Sequence, residues 1–415
     1  LLRLHPFLQS GSARRLTDLD TPAYLEVAEG LPSVLWDPNH AALSASLRRT
    51  PGYPLFLRLV QPWGGRIDVA WIAIAGTFVL TVAIVTLTFV LGRRFGGPRV
   101  GVVAAWLVAL DVLLIGHTPY VLSDTAFAVA ILGLVIVYER LLREQTWRLG
   151  LAVGGLYGAA TLIRPIALYL APWLLLGLVV AGGPRAWRRW AGAAAFLVVG
   201  ATLLVGGWYA RNTAVADLPV FSTIEGANIF EYRAAGVVAL QRGISVDEAR
   251  TQLEREYRAQ LHGTDAEIDA AKRRIGMQIL MSDLGATARI TAEGIVPTVI
   301  ESGSFEMERR LPGPIRRVAA GPLRWYALAM LMFEYLAAIV WLFGFGVTRT
   351  KSQIIAILAP VFGYLAVALG PESYARFRVP LHPLLAVLAA VVVVAIVDRR
   401  QQSSVGADAR VTLPS

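Results

Sequence analysis

Apolar runs of about 17–25 residues, the length that crosses a bilayer as a helix, recur along this chain between short polar breaks. They fall near 69–91, 100–116, 121–139, 149–164, 166–182, 191–209, 324–346, 353–370 and 380–397. The pattern predicts nine transmembrane helices and divides the chain into five parts. These are a polar opening (1–67), spans one to six (68–209), an insert (210–323), spans seven to nine (324–398) and a polar tail (399–415). Arg164-Pro165 separates the fourth and fifth runs. If those two made one broken helix, everything downstream would be inverted.

The polar parts carry their own signals. In the opening, Thr21 is expected to N-cap a short helix with Pro22 at its first position. Pro51-Gly52-Tyr53-Pro54 is expected to break the chain before Leu55-Phe56-Leu57, a stretch suited to lying on the membrane surface. In the insert, Ser245-Val246-Asp247-Glu248 and Thr264-Asp265-Ala266-Glu267 read as capping boxes. Ala249, Leu253, Tyr257 and Leu261 repeat at helical spacing, and His262-Gly263 is expected to close that helix. Ile268, Ala271, Ile275 and Ile279 continue the pattern in a second helix. The expectation is a small helical hairpin packed on the membrane domain.

Composition agrees with a polytopic membrane protein. The chain is 56% hydrophobic and 16% charged, with a mean hydropathy of +0.56. It has no cysteine, which excludes disulfides and thiolate metal sites. Five scattered histidines without HExxH give no sign of a His-rich zinc site. The net charge of +10 sits mostly in loops between spans, where topogenic arginine explains it without nucleic acid. Arg93, Arg94 and Arg99 share one side with Arg140, Arg143 and Arg148, with Arg185, Arg188 and Arg189, with Arg349 and Lys351, and with Arg399 and Arg400. That side is predicted to be cytoplasmic. The insert, with fifteen acids against fourteen lysines and arginines, is predicted to be extracytoplasmic.

The same topology gathers a polar constellation on the outer face. It comprises Asp18 and Asp20, Asp124, Arg164, Arg211-Asn212, and Glu372, Tyr374, Arg376 and Arg378 before the last span. Charges beside a bilayer are costly unless solvated or paired, so they mark candidate sites. The chemistry that fits is group transfer from a lipid phosphate. A carboxylate can take a proton from an acceptor hydroxyl, and arginines can hold a phosphate and stabilise it as a leaving group. Plain structural readings stand beside these. Asp18-Leu19-Asp20 can be a solvated turn or a metal-binding DxD, and Ser123-Asp124 an ordinary helix start. Arg164 can snorkel, Arg211 can merely anchor the insert, and His117 and His382 can be interfacial or core residues.

The chain resembles the GT-C superfamily of membrane glycosyltransferases, in the family 39 branch of protein O-mannosyltransferases and the lipid A aminoarabinose transferase. The carrying features are Asp20-x-x-x-Tyr24-Leu25-x-x-Ala28, Arg49-Thr50-Pro51-Gly52-Tyr53-Pro54, Leu122-Ser123-Asp124, Leu162-Ile163-Arg164-Pro165, Trp208-Tyr209-Ala210-Arg211-Asn212 and Arg376-Phe377-Arg378-Val379-Pro380-Leu381-His382-Pro383. The resemblance implies an all-α fold and an inverting hexosyl or pentosyl transferase of the bacterial inner membrane. Such an enzyme takes sugar from a polyprenyl-phosphate donor to a glycan, lipid or protein acceptor on the extracytoplasmic side. It makes Asp20 and Asp124 the expected catalytic acids. Tyr24, Tyr53, Arg164, Arg211, Asn212, Arg376 and Arg378 are the expected substrate-binding residues. No cofactor is firmly implied; a divalent metal on Asp18, Asp20 and Asp124 is left open. The family's Asp-Glu pair is replaced by Asp18-Leu19-Asp20, and its first span is expected upstream of Leu1. A lipid-linked-sugar flippase or a non-catalytic membrane protein are the alternatives.

Overall fold

The computed structural model describes residues 20–61, 68–344 and 349–411, and among these it contains helices and no strand. The opening forms α1 (Thr21–Gly30), α2 (Leu43–Arg48) and α3 (Gly52–Val60). The first membrane block follows as α4 (Val69–Gly96), α5 (Pro98–Leu110), α6 (Val112–His117), α7 (Ser123–Glu144), α8 (Trp147–Ile163), α9 (Ala171–Gly182) and α10 (Trp187–Ala216). The insert holds α11 (Ile224–Ala227), a π-helical segment (Asn228–Ala234), α12 (Ala235–Arg242), α13 (Val246–Glu256), α14 (Asp265–Ser282), α15 (Leu284–Ile300) and α16 (Phe305–Arg310). The closing spans are α17 (Gly313–Phe343), α18 (Lys351–Ala368) and α19 (His382–Val411).

A helix stands at each of the nine places the apolar pattern marks. Seven are long and apolar enough to cross a membrane, which makes this an integral membrane protein. The second and fourth fall short. The second is broken at Asp111, which leaves helical geometry and caps α6 through its Oδ1 on the Leu114 amide at 2.8 Å. The fourth ends at Arg164, whose extended backbone precedes Pro165. The chain then folds back, because the Tyr157 hydroxyl donates to the Leu168 carbonyl at 3.0 Å. In one continuous helix those residues would stand about 16 Å apart along the axis. A continuous helix through Arg164-Pro165 is therefore not formed.

α7 is the centre of the bundle. Some 72% of its apolar window is buried, against 17–56% for the other six. α8 lies very close to α10, because Gly150 and Gly154 face the Ala193 and Leu197 carbonyls with no room for a Cβ. Small residues four apart permit this approach of two backbones.

The opening differs in detail from its sequence signals. Asp20 is the residue at the N-cap of α1, and the Thr21 hydroxyl donates instead to the Val121 carbonyl at 3.1 Å. Pro51-Gly52-Tyr53-Pro54 starts α3 rather than breaking the chain. Leu55 and Leu59 on α3 are exposed, as a helix lying on a membrane surface requires.

Both capping boxes of the insert form, Ser245 with Glu248 and Thr264 with Glu267. The first of these helices ends at Glu256, short of His262-Gly263, because Tyr257 turns edge-on to Phe230. The insert exceeds a hairpin: α12 and the π segment complete its core around Phe230, Ala235, Leu253 and Ile275. Asp269 accepts from the Gly226 amide at 3.0 Å. Burial pushes its carboxyl up to about 6, against the opposing pull of Arg273 and that amide.

Two outcomes follow for stability. Gly154→Ala forces α8 off α10 and is expected to cost about 1–3 kcal/mol by overpacking. Gly155→Ala, which meets nothing within 4 Å, is expected to be neutral; thermal unfolding in detergent separates the two. Asp269 binds its proton more tightly folded than unfolded, so the insert loses stability as pH rises from 3.8 towards about 6. The denaturant midpoint of unfolding is expected to fall across that window, and Asp269→Asn to remove that fall.

Candidate active site

The site is built where α1, α3, the start of α7, the end of α8 and the loop before α19 meet. Thr21 is tied to Val121, and the Tyr24 and Ser123 hydroxyls share a hydrogen bond at 2.9 Å. These two bonds bring the start of α1 alongside the start of α7. Tyr53 supports them from behind, edge-on to Tyr24 at 4.9 Å. Gly52 allows α3 to rest on the end of α8: a Cβ there would lie 2.7 Å from the Leu162 carbonyl carbon and oxygen. Arg49 and Arg164, each next to one of those contacts, thereby face the same space.

Two carboxylates and three guanidinium groups converge. Asp20 pairs with Arg49 through Oδ1, and its Oδ2 lies 3.7 Å from Arg376 Nη2. Asp124 pairs with Arg164 through Oδ1. Its Oδ2 accepts from Arg376 Nε at 2.8 Å, with Nη2 at 2.7 Å. α7 is capped by Leu122 without a side-chain bond, so Ser123 and Asp124 are turned to these partners. Burial works against the charge of Arg376, but Asp124 and the Tyr374 hydroxyl outweigh it and hold the guanidinium firmly charged. Arg49 and Arg164 also sit over the rings of Tyr24 and Phe127, at 5.3 and 5.9 Å from their centroids.

A cavity of about 550 Å³ opens in front of this cluster. Asp20, Tyr24, Arg49, Arg164 and Arg376 line one side of it. The insert supplies Asn228, Tyr232 and Arg233 from its π segment. Arg233 reaches back to Glu372 at 3.3 Å. Asp124, 2% exposed, does not line the cavity and stands behind the two arginines it holds. Arg49 and Arg233 are absent from the sequence-based site. Arg49 is quoted within a motif without a role, and Arg233 lies in the insert far from every motif.

Four expected residues are placed elsewhere. Tyr53 is packed behind Tyr24. Arg211 donates to the carbonyls of Val34 and Leu35, to Ser46 Oγ at 3.1 Å and to Asn212 Oδ1 at 2.9 Å. Asn212 donates to the carbonyls of Val220 and Phe221. Together they clamp the opening segment to the entrance of the insert. Arg378, 2% exposed, donates to the Thr298 and Glu301 carbonyls and so fastens the 3-10 turn Ala375–Arg378 to the end of α15. None of these four residues lines the cavity.

Asp18 lies outside the described residues. Asp20 and Asp124 do not suit a cation, because each carboxylate is already bonded to guanidinium groups. A dication among three arginines would meet repulsion that two carboxylates cannot offset.

No protein-family model matches this chain, and no curated protein matches it. Among solved structures it is similar to the oligosaccharyltransferase of Archaeoglobus fulgidus in the apo form, at 12% identity and TM-score 0.55. That match covers 98% of this chain and 51% of the other. The archaeal oligosaccharyltransferase AglB of the same organism, in complex with an inhibitory peptide and a dolichol-phosphate, gives 9% identity and TM-score 0.52, covering 98% and 51%. ArnT from Cupriavidus metallidurans bound to undecaprenyl phosphate gives 13% identity and TM-score 0.43, covering 94% and 76%. The chain thus spans about half the length of the oligosaccharyltransferases. With helices and no strand among the described residues, this chain is an integral membrane protein that shares its fold, over nearly its whole length, with the archaeal oligosaccharyltransferases.

Proposed function

We propose that this protein is a glycosyltransferase that moves a sugar from a polyprenyl-phosphate donor to an acceptor in the cavity before Asp20. The observation that carries this reading is a carboxylate and an arginine pair facing one cavity, the pair held from behind by buried Asp124. A phosphate needs fixed cations; an attacking hydroxyl needs a base.

Arg164 and Arg376 hold the donor phosphate, with Arg49 orienting Asp20 through Oδ1. The acceptor hydroxyl attacks the anomeric carbon as its bond to the phosphate oxygen breaks. Asp20 takes the hydroxyl proton, and the bonding pair leaves on the polyprenyl phosphate, where the arginines offset the charge. A single displacement of this kind inverts the anomeric centre, whether the sugar is a hexose or a pentose. Asp124 is a positioning residue. It cannot reach the substrate, but without it two arginines lose their shared anchor. Tyr24 and the insert's Asn228 and Tyr232 border the space left for sugar and acceptor.

The cavity opens at the Asp124 end of α7, and Arg140 and Arg143 stand at the other end. With the basic loops cytoplasmic, the reaction takes place on the extracytoplasmic face of a bacterial inner membrane. A flippase would place its charges at mid-membrane; here they cluster at helix ends and in a loop.

Two variants divide the roles. Asp20→Asn is expected to reduce sugar transfer by about 10²–10⁴-fold, the scale of a lost general base. It should leave thermal stability and binding of undecaprenyl phosphate unchanged; full transfer activity in this variant rules out the base. Arg376→Gln is expected to weaken binding of undecaprenyl phosphate by about tenfold or more, the scale of one charge-assisted hydrogen bond. Native mass spectrometry of the purified protein with that lipid measures both, and unaltered affinity removes Arg376 from the phosphate site.

A further inference from the structure

Beneath the turn that carries Arg376 and Arg378 lies a second polar cluster that the transfer reaction does not use. Asp111 stands at the junction of α5 and α6, Glu334 lies in α17, and His382 opens α19. They are 3%, 1% and 4% exposed. His382 Nδ1 lies 2.5 Å from Asp111 Oδ2 and 3.7 Å from Glu334 Oε2. One potential ligand atom from each residue falls within 4.8 Å of the others. Both oxygens of Glu334 are buried without a hydrogen-bond partner. A buried carboxylate in that condition needs neutralising by a proton or by a cation.

We propose that Asp111, Glu334 and His382 form a binding site for a divalent transition-metal ion of the Zn²⁺ or Mn²⁺ class. Convergence of three ligating side chains on one point favours the ion over a lone proton on Glu334. One imidazole and two carboxylates suit these ions, whereas Ca²⁺ and Mg²⁺ prefer all-oxygen shells. Two carboxylates match the charge of a dication. Ligands at about 2.0–2.1 Å in tetrahedral geometry stand about 3.3 Å from one another. Asp111 and His382 therefore part by less than about 1 Å, and Glu334 closes in, all within side-chain rotation.

The ring proton of His382 must also move. Without the ion it lies on Nδ1, towards Asp111, and Nε2 accepts from Arg378 Nε at 3.4 Å. An ion at Nδ1 sends that proton to Nε2, and the Arg378 contact, already at the limit of a hydrogen bond, opens. Arg378 keeps its bonds to the Thr298 and Glu301 carbonyls. The ion then joins α5, α17 and α19 below the active-site turn, and the site stands apart from the transferase reading.

The full chain in detergent, stripped with chelator, is titrated with Zn²⁺ and separately with Mn²⁺. Wild type is expected to bind one equivalent and to melt at a higher temperature. Glu334→Gln should bind at least about tenfold more weakly, and Asp20→Asn as wild type does. Pulsed EPR of the Mn²⁺-loaded wild type should show coupling to one imidazole nitrogen, lost in His382→Gln. The proposal is overturned by no bound equivalent, by wild-type affinity in Glu334→Gln, by loss of the ion in Asp20→Asn, or by absent nitrogen coupling. The last is read on wild type and needs no variant to fold.

Discussion

The structure depends on one constraint: a buried carboxylate on the central helix cannot stand unpaired. Asp124 lies at the start of α7, the most enclosed span. Removing its charge from water would cost several kcal/mol without partners. It is met by Arg164 at the end of α8 and Arg376 in the loop before α19, three segments far apart in sequence. Once they meet, two guanidinium groups stand at the edge of a cavity with their positions set from behind. Asp20 reaches that cavity because α1 is bonded to the start of α7 through Thr21 and Tyr24.

Arginine serves two purposes here, and neighbours decide which. Arg49, Arg164 and Arg376 are paired with carboxylates and still border the cavity. Arg211 and Arg378 spend their donors on backbone carbonyls of Val34, Leu35, Thr298 and Glu301. The first kind stays open to the cavity on one side. The second kind satisfies carbonyls that have no water to turn to, and its removal would expose them. These clamps fix the opening segment and the end of the insert, the two parts that enclose the cavity from outside the bundle.

The insert belongs to the site as well as to the surface. Its π-helical segment turns Asn228, Tyr232 and Arg233 towards the cavity, and Arg233 is paired with Glu372 of the loop that also carries Arg376. Gly236 and Gly294 pack against Pro371 and Gly370 of that loop with no space for a side chain. This wall of the cavity is thus built from a region that no motif marks.

What could be read in advance was local. Each apolar run coincides with a helix among the described residues, because length and hydropathy must match the bilayer whatever the neighbours are. The capping boxes at Ser245 and Thr264 form as their spacing says, since a cap is completed within four residues. Asp20, Arg164 and Arg376 are legible because charges beside a membrane demand partners. The tertiary structure alone decides which partners these are. Whether Thr21 caps α1 or bonds Val121, and whether Arg378 meets a phosphate or a carbonyl, turns on residues about eighty to a hundred positions away. Hydrogen-bonding groups are satisfied by whatever packing brings within 3 Å. The choice between Arg376 and Arg378, two residues apart in one turn, therefore belongs to the fold and not to the motif.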